Sequence, residues 1–202
     1  FGRAADDGEK VNVPLTRARS GSYSTRTTHP QYLSLLRDAA DSVGVRNPIL
    51  NPFRLKTKGE ILAGSKNPDL LRSLAPDSIS CSHPEAARYA ERDQGNCGYC
   101  FPCLIRRSSM AHVGWDSPDG YAWDALSGKD LLDRNTRRAA DLRAVINGVY
   151  ADRPDRDIFR NGPIPGSEHR AFLRVWRSGI DELRAWLDGA TGATAKIVQG
   201  LK

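Results

Sequence analysis

Cys81, Cys97, Cys100 and Cys103 are the four cysteines of the chain, and they stand in the pattern C-x15-C-x2-C-x2-C. A C-x2-C step lets one tight turn present two thiolates to a single ion, and zinc takes four soft donors at the corners of a tetrahedron. Gly98 and Pro102 sit inside the two short steps and suit such turns. Four unrelated buried thiols, or two disulfides in a secreted protein, are the bland alternatives. No other cysteine exists to dilute the cluster, so zinc is the expectation. Four thiolate ligands leave no open coordination position, which makes the expected role structural.

The elements that must hold this cluster are read from apolar spacing and turn residues. Tyr32, Leu35, Leu36, Ala39 and Val43 recur at helical intervals after His29-Pro30, so a helix is predicted from about Pro30 to Ser42, stopped by Gly44. Thr57 followed by Glu60 makes a capping-box pattern that opens a short helix from Lys58 to about Gly64. Asn67–Leu74 reads as a further helical turn, and DSISC as a short strand delivering Cys81. VNVPL (Val11–Leu15) is a second extended segment. HPEAARYAERDQGN, between the first two cysteines, reads as loop or a single helical turn, and helical spacing resumes from Leu104.

Gly, Pro and Asp from Gly114 to Gly120 break the chain, and beyond Asp124 its character changes. Leu131, Leu142, Val145, Ile146 and Val149 fall on one face. A second amphipathic helix is predicted over Glu168–Leu187, with Phe172, Trp176, Ile180, Leu183 and Leu187 as its apolar stripe and Arg170, Arg174, Arg177 and Arg184 facing out. Trp176 and Trp186 at helical spacing are assigned to packing or to a protein interface, and the tail after Gly189 is expected to fray. Two regions follow: residues 1–127, containing the cysteine site, and residues 128–202, a helical extension.

With 202 residues, 39% of them apolar, the chain can bury one sizeable core. No apolar run approaches the length of a membrane helix and no basic-then-apolar leader opens the chain, so the expected compartment is the cytoplasm, where metal-bound thiolates persist. The opening residues FGRAADDGEK read like the middle of a loop, as in a piece of a longer protein. Net charge is +6, with the surplus before residue 110, which invites an anionic partner such as a nucleotide phosphate or a nucleic acid backbone. The basic residues are scattered, as on an ordinary solvated surface, so charge alone decides nothing.

NVPL, the GSYSTRTTHP loop, NPF followed by TKGEIL, and SCS with CGYCFPCLIRR occur in that order over residues 10–107. Together they resemble the 7-cyano-7-deazaguanine synthase (QueC) family, and most closely its variants in bacterial defence operons such as the Qat anti-phage system. The resemblance implies an α/β fold of the adenine-nucleotide alpha-hydrolase kind, with a parallel sheet flanked by helices. It also implies ATP, with magnesium, as cosubstrate. A 7-carboxy-7-deazaguanine-like carboxylate would be adenylated and then attacked by an amine, either ammonia or an amine on a protein. Adenylation makes chemical sense because AMP is a far better leaving group than oxide, and the protein's task is to align the groups and neutralise phosphate charge.

On the same resemblance Arg26, Thr27, Thr28 and His29 are the substrate-side loop and Lys58 the phosphate-side lysine; of Arg106 and Arg107, which follow the last cysteine where the family carries an arginine, one contacts nucleotide or substrate, taken as Arg106 at the phosphate, and the other is a surface residue. A polar loop capping the next helix is the plain alternative for the first group, and an ordinary surface lysine for Lys58. His83, His112 and His169 receive no role. Three departures stand out. The glycine-rich SGGxDS loop, whose amides cradle pyrophosphate, is absent from these 202 residues, so this chain alone should not adenylate anything. The spacing between the first two cysteines is also longer than the family's, and STRTTHP stands where the biosynthetic enzymes carry a different substrate loop, which points to a different substrate. The expected partners are an ATP-binding amino-terminal half and other defence proteins. The competing reading is a catalytically silent zinc module that binds a partner protein or nucleic acid.

Overall fold

The structure, a computed structural model, describes residues 29–91, 95–132, 137–152 and 154–202. Its regular elements are helical: α1 (Pro30–Ser42), α2 (Lys58–Ala63), α3 (Pro68–Leu74), α4 (Phe101–His112), α5 (Ala140–Tyr150), α6 (His169–Leu187) and α7 (Gly192–Gln199), joined by short 3-10 turns. The chain divides into two compact units, one drawn from Phe1–Thr57 and Asp152–Gly179, the other from Lys58–Ala151 and Ile180–Lys202. The division falls within α6. No helix among the described residues is long and apolar enough to cross a membrane.

In the first unit, α1 begins where the sequence predicts. His29 is its N-cap, its Nδ1 accepting from the Gln31 amide at 3.3 Å, and Pro30 occupies the first turn, where a missing N–H costs nothing. The Arg37 guanidinium donates twice to the Ile49 carbonyl, at 3.0 and 2.7 Å, and so holds the segment that follows the helix. Ile158, Ile164, Phe172, Val175 and Trp176 are buried. Arg54 pairs with Glu168 and Arg177 with Asp155 on the surface. On the apolar face of α1 Tyr32, Leu35 and Leu36 are exposed among the described residues, as is Val43 at its C-cap.

In the second unit, α2 packs on α4, α4 on α5, and α5 on α7. Leu104, Leu131, Leu142, Val145, Ile146, Val149, Leu183, Trp186 and Leu187 form its core. Gly59 opens α2 against α6: a Cβ there would stand 2.6 Å from Glu182 Oε1 and would push that carboxylate away from the first turn of α2. Asn67 caps α3, its side chain accepting from the Leu70 amide at 3.1 Å.

Two expectations fail. The parallel sheet of an α/β fold is contradicted, because the described residues contain no strand and only an isolated bridge between Asn96 and Tyr121. The DSISC segment shows the physical reason. Asn96 lies across it, accepting from the Ser80 amide at 3.2 Å and donating to the Ser78 carbonyl at 3.1 Å. One side-chain amide thus takes the place of a neighbouring strand. The other expected extended segment, Val11–Leu15, lies outside the described residues. The tail does not fray either. Thr194 is fully buried and donates to the Ala125 carbonyl at 2.7 Å, Val198 is buried, and the Thr191 and Ala193 amides donate to the Leu126 and Ser127 carbonyls. Those bonds and the apolar cover over Val198 dock α7.

Candidate metal centre

The four cysteines come from three local structures of the second unit. Cys81 ends the segment bolted down by Asn96, Cys97 lies beside the bridge to Tyr121, and Cys100 and Cys103 belong to the start of α4, with Cys100 as its N-cap. Their sulfurs all lie within 4.8 Å of one another, and none is in a disulfide. Cys81 Sγ is 3.8 Å from Cys100 Sγ and Cys97 Sγ is 3.9 Å from Cys103 Sγ. A tetrahedron with zinc–sulfur bonds of about 2.3 Å has edges of about 3.8 Å. The donor set therefore fits zinc in type, number and spacing, and a disulfide at about 2 Å fits neither separation.

Backbone amides complete the site. Cys97 N and His83 N both donate to Cys81 Sγ at 3.2 Å, Cys100 N to Cys97 Sγ at 3.4 Å, and Ser82 N to Cys100 Sγ at 3.5 Å. Such N–H···S contacts disperse the negative charge of a tetrathiolate and orient its members. The thiols cannot ionise independently. The hydrogen bond from Cys100 holds Cys81 far below the ordinary thiol range, while the interaction with Cys100 pushes Cys97 and Cys103 far above it. Sharing so small a space, four thiolates need a central cation.

Gly98 shows how tight the knuckle is. Its φ is +88°, and a Cβ there would come 2.1 Å from the Trp123 carbonyl oxygen and 2.9 Å from Tyr121 Cβ. The bond from Trp123 N to the Cys97 carbonyl, 3.1 Å, fixes the strap across it. The expected turn at Pro102 is instead the first turn of α4. Asp141, from α5, accepts from the Phe101 amide at 2.8 Å and satisfies one orphan donor of that turn.

The remaining predicted site residues scatter. Arg26, Thr27 and Thr28 lie outside the described residues. His29 belongs to the first unit, where it is a buried N-cap whose ring backs onto Gly162. Lys58 is half-buried at the first position of α2. Arg106 lies on α4, one turn after Cys103, and donates to Ser78 Oγ at 2.7 Å and to the Ala75 carbonyl at 2.5 Å. The structure thus unites the four cysteines in one site, with Arg106 beside it in the same unit.

Arg107, expected at the surface, is 1% exposed. It donates to both Asp116 oxygens at 3.0 to 3.2 Å and to Asp124 Oδ1 at 2.6 Å, and lies 5.0 and 5.2 Å from the ring centroids of Tyr121 and Trp186. Trp186 Nε1 donates to Asp116 as well, at 3.2 Å. Burial disfavours the Arg107 charge, but the two carboxylates more than offset it and hold its pKa above the ordinary value. The signal for this network was present in α4: Cys103, Leu104 and Arg107 share a helical face, and the first two are wholly buried.

Comparison with known protein families, with curated proteins and with solved structures finds no match for this chain.

Proposed function

We propose that the chain is the zinc-bearing portion of a 7-cyano-7-deazaguanine synthase-like protein of bacterial anti-phage defence, working in the cytoplasm. The observation that carries the reading is the tetrahedral cysteine cluster, which falls inside SCS and CGYCFPCLIRR, the most specific of the ordered motifs. In this reading the substrate is a 7-carboxy-7-deazaguanine-like acid. ATP, bound with magnesium through an SGGxDS loop outside these 202 residues, activates the carboxylate for attack by an amine. Arg26, Thr27, Thr28 and His29 are the candidate substrate-side residues, and Lys58 and Arg106 the candidates for neutralising phosphate charge. The zinc would be held by Cys81, Cys97, Cys100 and Cys103 and takes no part in the chemistry, because its four protein ligands leave no site for substrate.

The test is reconstitution with an SGGxDS-bearing polypeptide, followed by carboxylate-dependent exchange of pyrophosphate into ATP. Exchange that disappears in Lys58→Ala and Arg26→Ala, with zinc content and melting unchanged, supports the reading; wild-type exchange in both variants refutes those assignments. A second reading, a catalytically silent zinc module that binds nucleic acid, draws on one observation. Arg138 lies 4.9 Å from the Trp123 ring and 5.7 Å from the ring of the exposed Tyr89, a pairing of cation and aromatic surface that unstacked bases can use. No exchange under any condition, together with salt-sensitive binding to single-stranded DNA that Tyr89→Ala weakens, would favour it.

A further inference from the structure

Beside the metal centre, within the second unit, a cleft of about 330 Å³ opens between the end of α3, α4 and the segment 115–121. Arg72, Asn96, Arg106, Met110, Trp115 and Tyr121 contribute to its lining. We propose that this cleft binds a small planar oxyanion, a carboxylate or phosphate carried on a flat ring. The proposal stands apart from the synthase reading: it needs neither ATP nor a second polypeptide, and of the lining residues only Arg106 has a counterpart in the resemblance.

Charge is the first argument. Two guanidinium groups line the cleft and no carboxylate does. Five arginines elsewhere are matched by carboxylates, Arg54 by Glu168, Arg107 by Asp116 and Asp124, Arg160 by Asp157, Arg177 by Asp155, and Arg184 by Asp181, whereas Arg37 donates to a backbone carbonyl and Arg138 lies over aromatic rings. Arg72 and Arg106 have no carboxylate partner among the described residues. Asp116, between the lining residues Trp115 and Ser117, is engaged by Arg107 and Trp186. Two like charges sharing one concavity repel each other, and an anion between them removes the repulsion.

Preorganisation is the second. Arg106 uses one N–H on Ser78 Oγ and one on the Ala75 carbonyl, and the Tyr121 side chain also hydrogen-bonds it. A guanidinium has five N–H donors, so these bonds hold its plane at the cleft wall with donors to spare. Asn96 anchors the opposite segment through Ser78 and Ser80, so the floor does not depend on a ligand for its shape. Shape is the third argument. Trp115, Tyr121 and Met110 supply two flat rings and an adaptable thioether, surfaces against which a planar ring packs. The volume lies at the small end of the range of about 300–1,000 Å³ for small-molecule sites, enough for a fused ring with one charged group.

The experiment is isothermal titration of the zinc-loaded chain with indole-3-carboxylate and with adenosine 5′-monophosphate, each against its uncharged counterpart, indole or adenosine. At least one oxyanion should bind saturably and its counterpart about tenfold more weakly or not at all. Indole-3-carboxylate alone identifies a carboxylate site, and the nucleotide alone a phosphate site. Arg72 is exposed and makes no ion pair among the described residues, so Arg72→Glu should keep its melting temperature and zinc while lowering affinity about tenfold or more. No saturable binding of either oxyanion up to about 10 mM, equal binding of the uncharged ring, or unchanged affinity in Arg72→Glu would overturn the proposal.

Discussion

Replacing Arg107 by Met removes a buried cation while keeping most of its volume, and the structure lets the consequence be apportioned. Asp116 is the group left exposed to the loss: its side chain is 10% accessible, and without Arg107 it keeps the Trp186 indole as a donor. Asp124 is less sensitive, being 32% accessible and still accepting from the Leu126 and Ser127 amides at 3.2 and 3.1 Å. Breaking a buried pair from one side costs about 3–5 kcal/mol, most of it from the uncompensated charge left behind. The contacts to the Tyr121 and Trp186 rings add about 1 kcal/mol at most once the burial of Met is allowed for. In a chain of this size each kcal/mol moves the melting temperature by about 2–4 °C, so the expected drop is roughly 6–24 °C.

The assay is thermal unfolding of the zinc-loaded protein by circular dichroism at neutral pH, with metal content measured in parallel. The decisive comparison is the double variant Arg107→Met with Asp116→Asn. Neutralising the stranded carboxylate should recover at least about half of the lost stability, even though it deletes a second member of the network, because an amide still accepts from Trp186. A drop below about 3 °C in the single variant would mean that the pair contributes little. A double variant no better than the single would mean that the loss came from packing, not from charge.

The cysteine site should carry one zinc per chain by native mass spectrometry, and chelation should lower the melting temperature by about 10 °C or more, as should Cys100→Ser; an undiminished melt after metal removal would refute the structural role. Gly98→Ala should cost about 3 kcal/mol or more and release zinc, since a positive φ is joined by a 2.1 Å approach to backbone. Gly114→Ala is its control, with φ at +72° and nothing within 4 Å, and should cost only about 1 kcal/mol; equal effects in chemical denaturation would show that the close approach is immaterial. Burial pushes the Asp124 carboxyl up, but the hydrogen bond and charge of Arg107 pull it further down, below its ordinary value of 3.8. Its contribution to stability is then complete above about pH 5 and lost as pH falls through the lowered value. The melting difference between wild type and Asp124→Asn should shrink in acid, and a difference independent of pH would contradict the pairing.

What could be read from the residues was local. α1 has the predicted bounds because His29-Pro30 and Gly44 punctuate it, and α6 begins within a residue of its predicted start because its stripe repeats over five turns. The cysteine cluster was legible because zinc constrains residue type and spacing together. The sheet came from a likeness between motifs, and nothing in the described residues pairs strands; in the DSISC segment the Asn96 side chain takes the Ser80 amide and the Ser78 carbonyl, which no alternation pattern reveals. α7 was missed because its anchor is a threonine hydroxyl on a distant carbonyl, and Arg107 because its two carboxylates lie nine and seventeen residues away. Polar groups satisfied by long-range partners are the ones that a sequence hides.

α4 explains why a structural metal belongs beside a binding cleft. At 3.6 residues per turn, Cys103 and Arg107 share one face, and the direction midway between Arg106 and Met110 lies about 60° from it, a sixth of a turn. The first face is fixed at both ends, by the cysteine cluster through Cys103 and by Asp116 and Asp124 through Arg107. A helix held at two points of one face cannot rotate about its axis, so Arg106 and Met110 are aimed at the cleft without contributing to either anchor. The second wall is tied to the same cysteine cluster: Cys81 follows the segment that Asn96 bolts down, and Arg106 reaches back to Ser78 and Ala75. A metal ion held by the four cysteines would therefore set the separation of the two walls as well as the rotation of one. With four protein ligands it would have no open position for chemistry, yet the geometry that two guanidinium groups need to share one anion would depend on it.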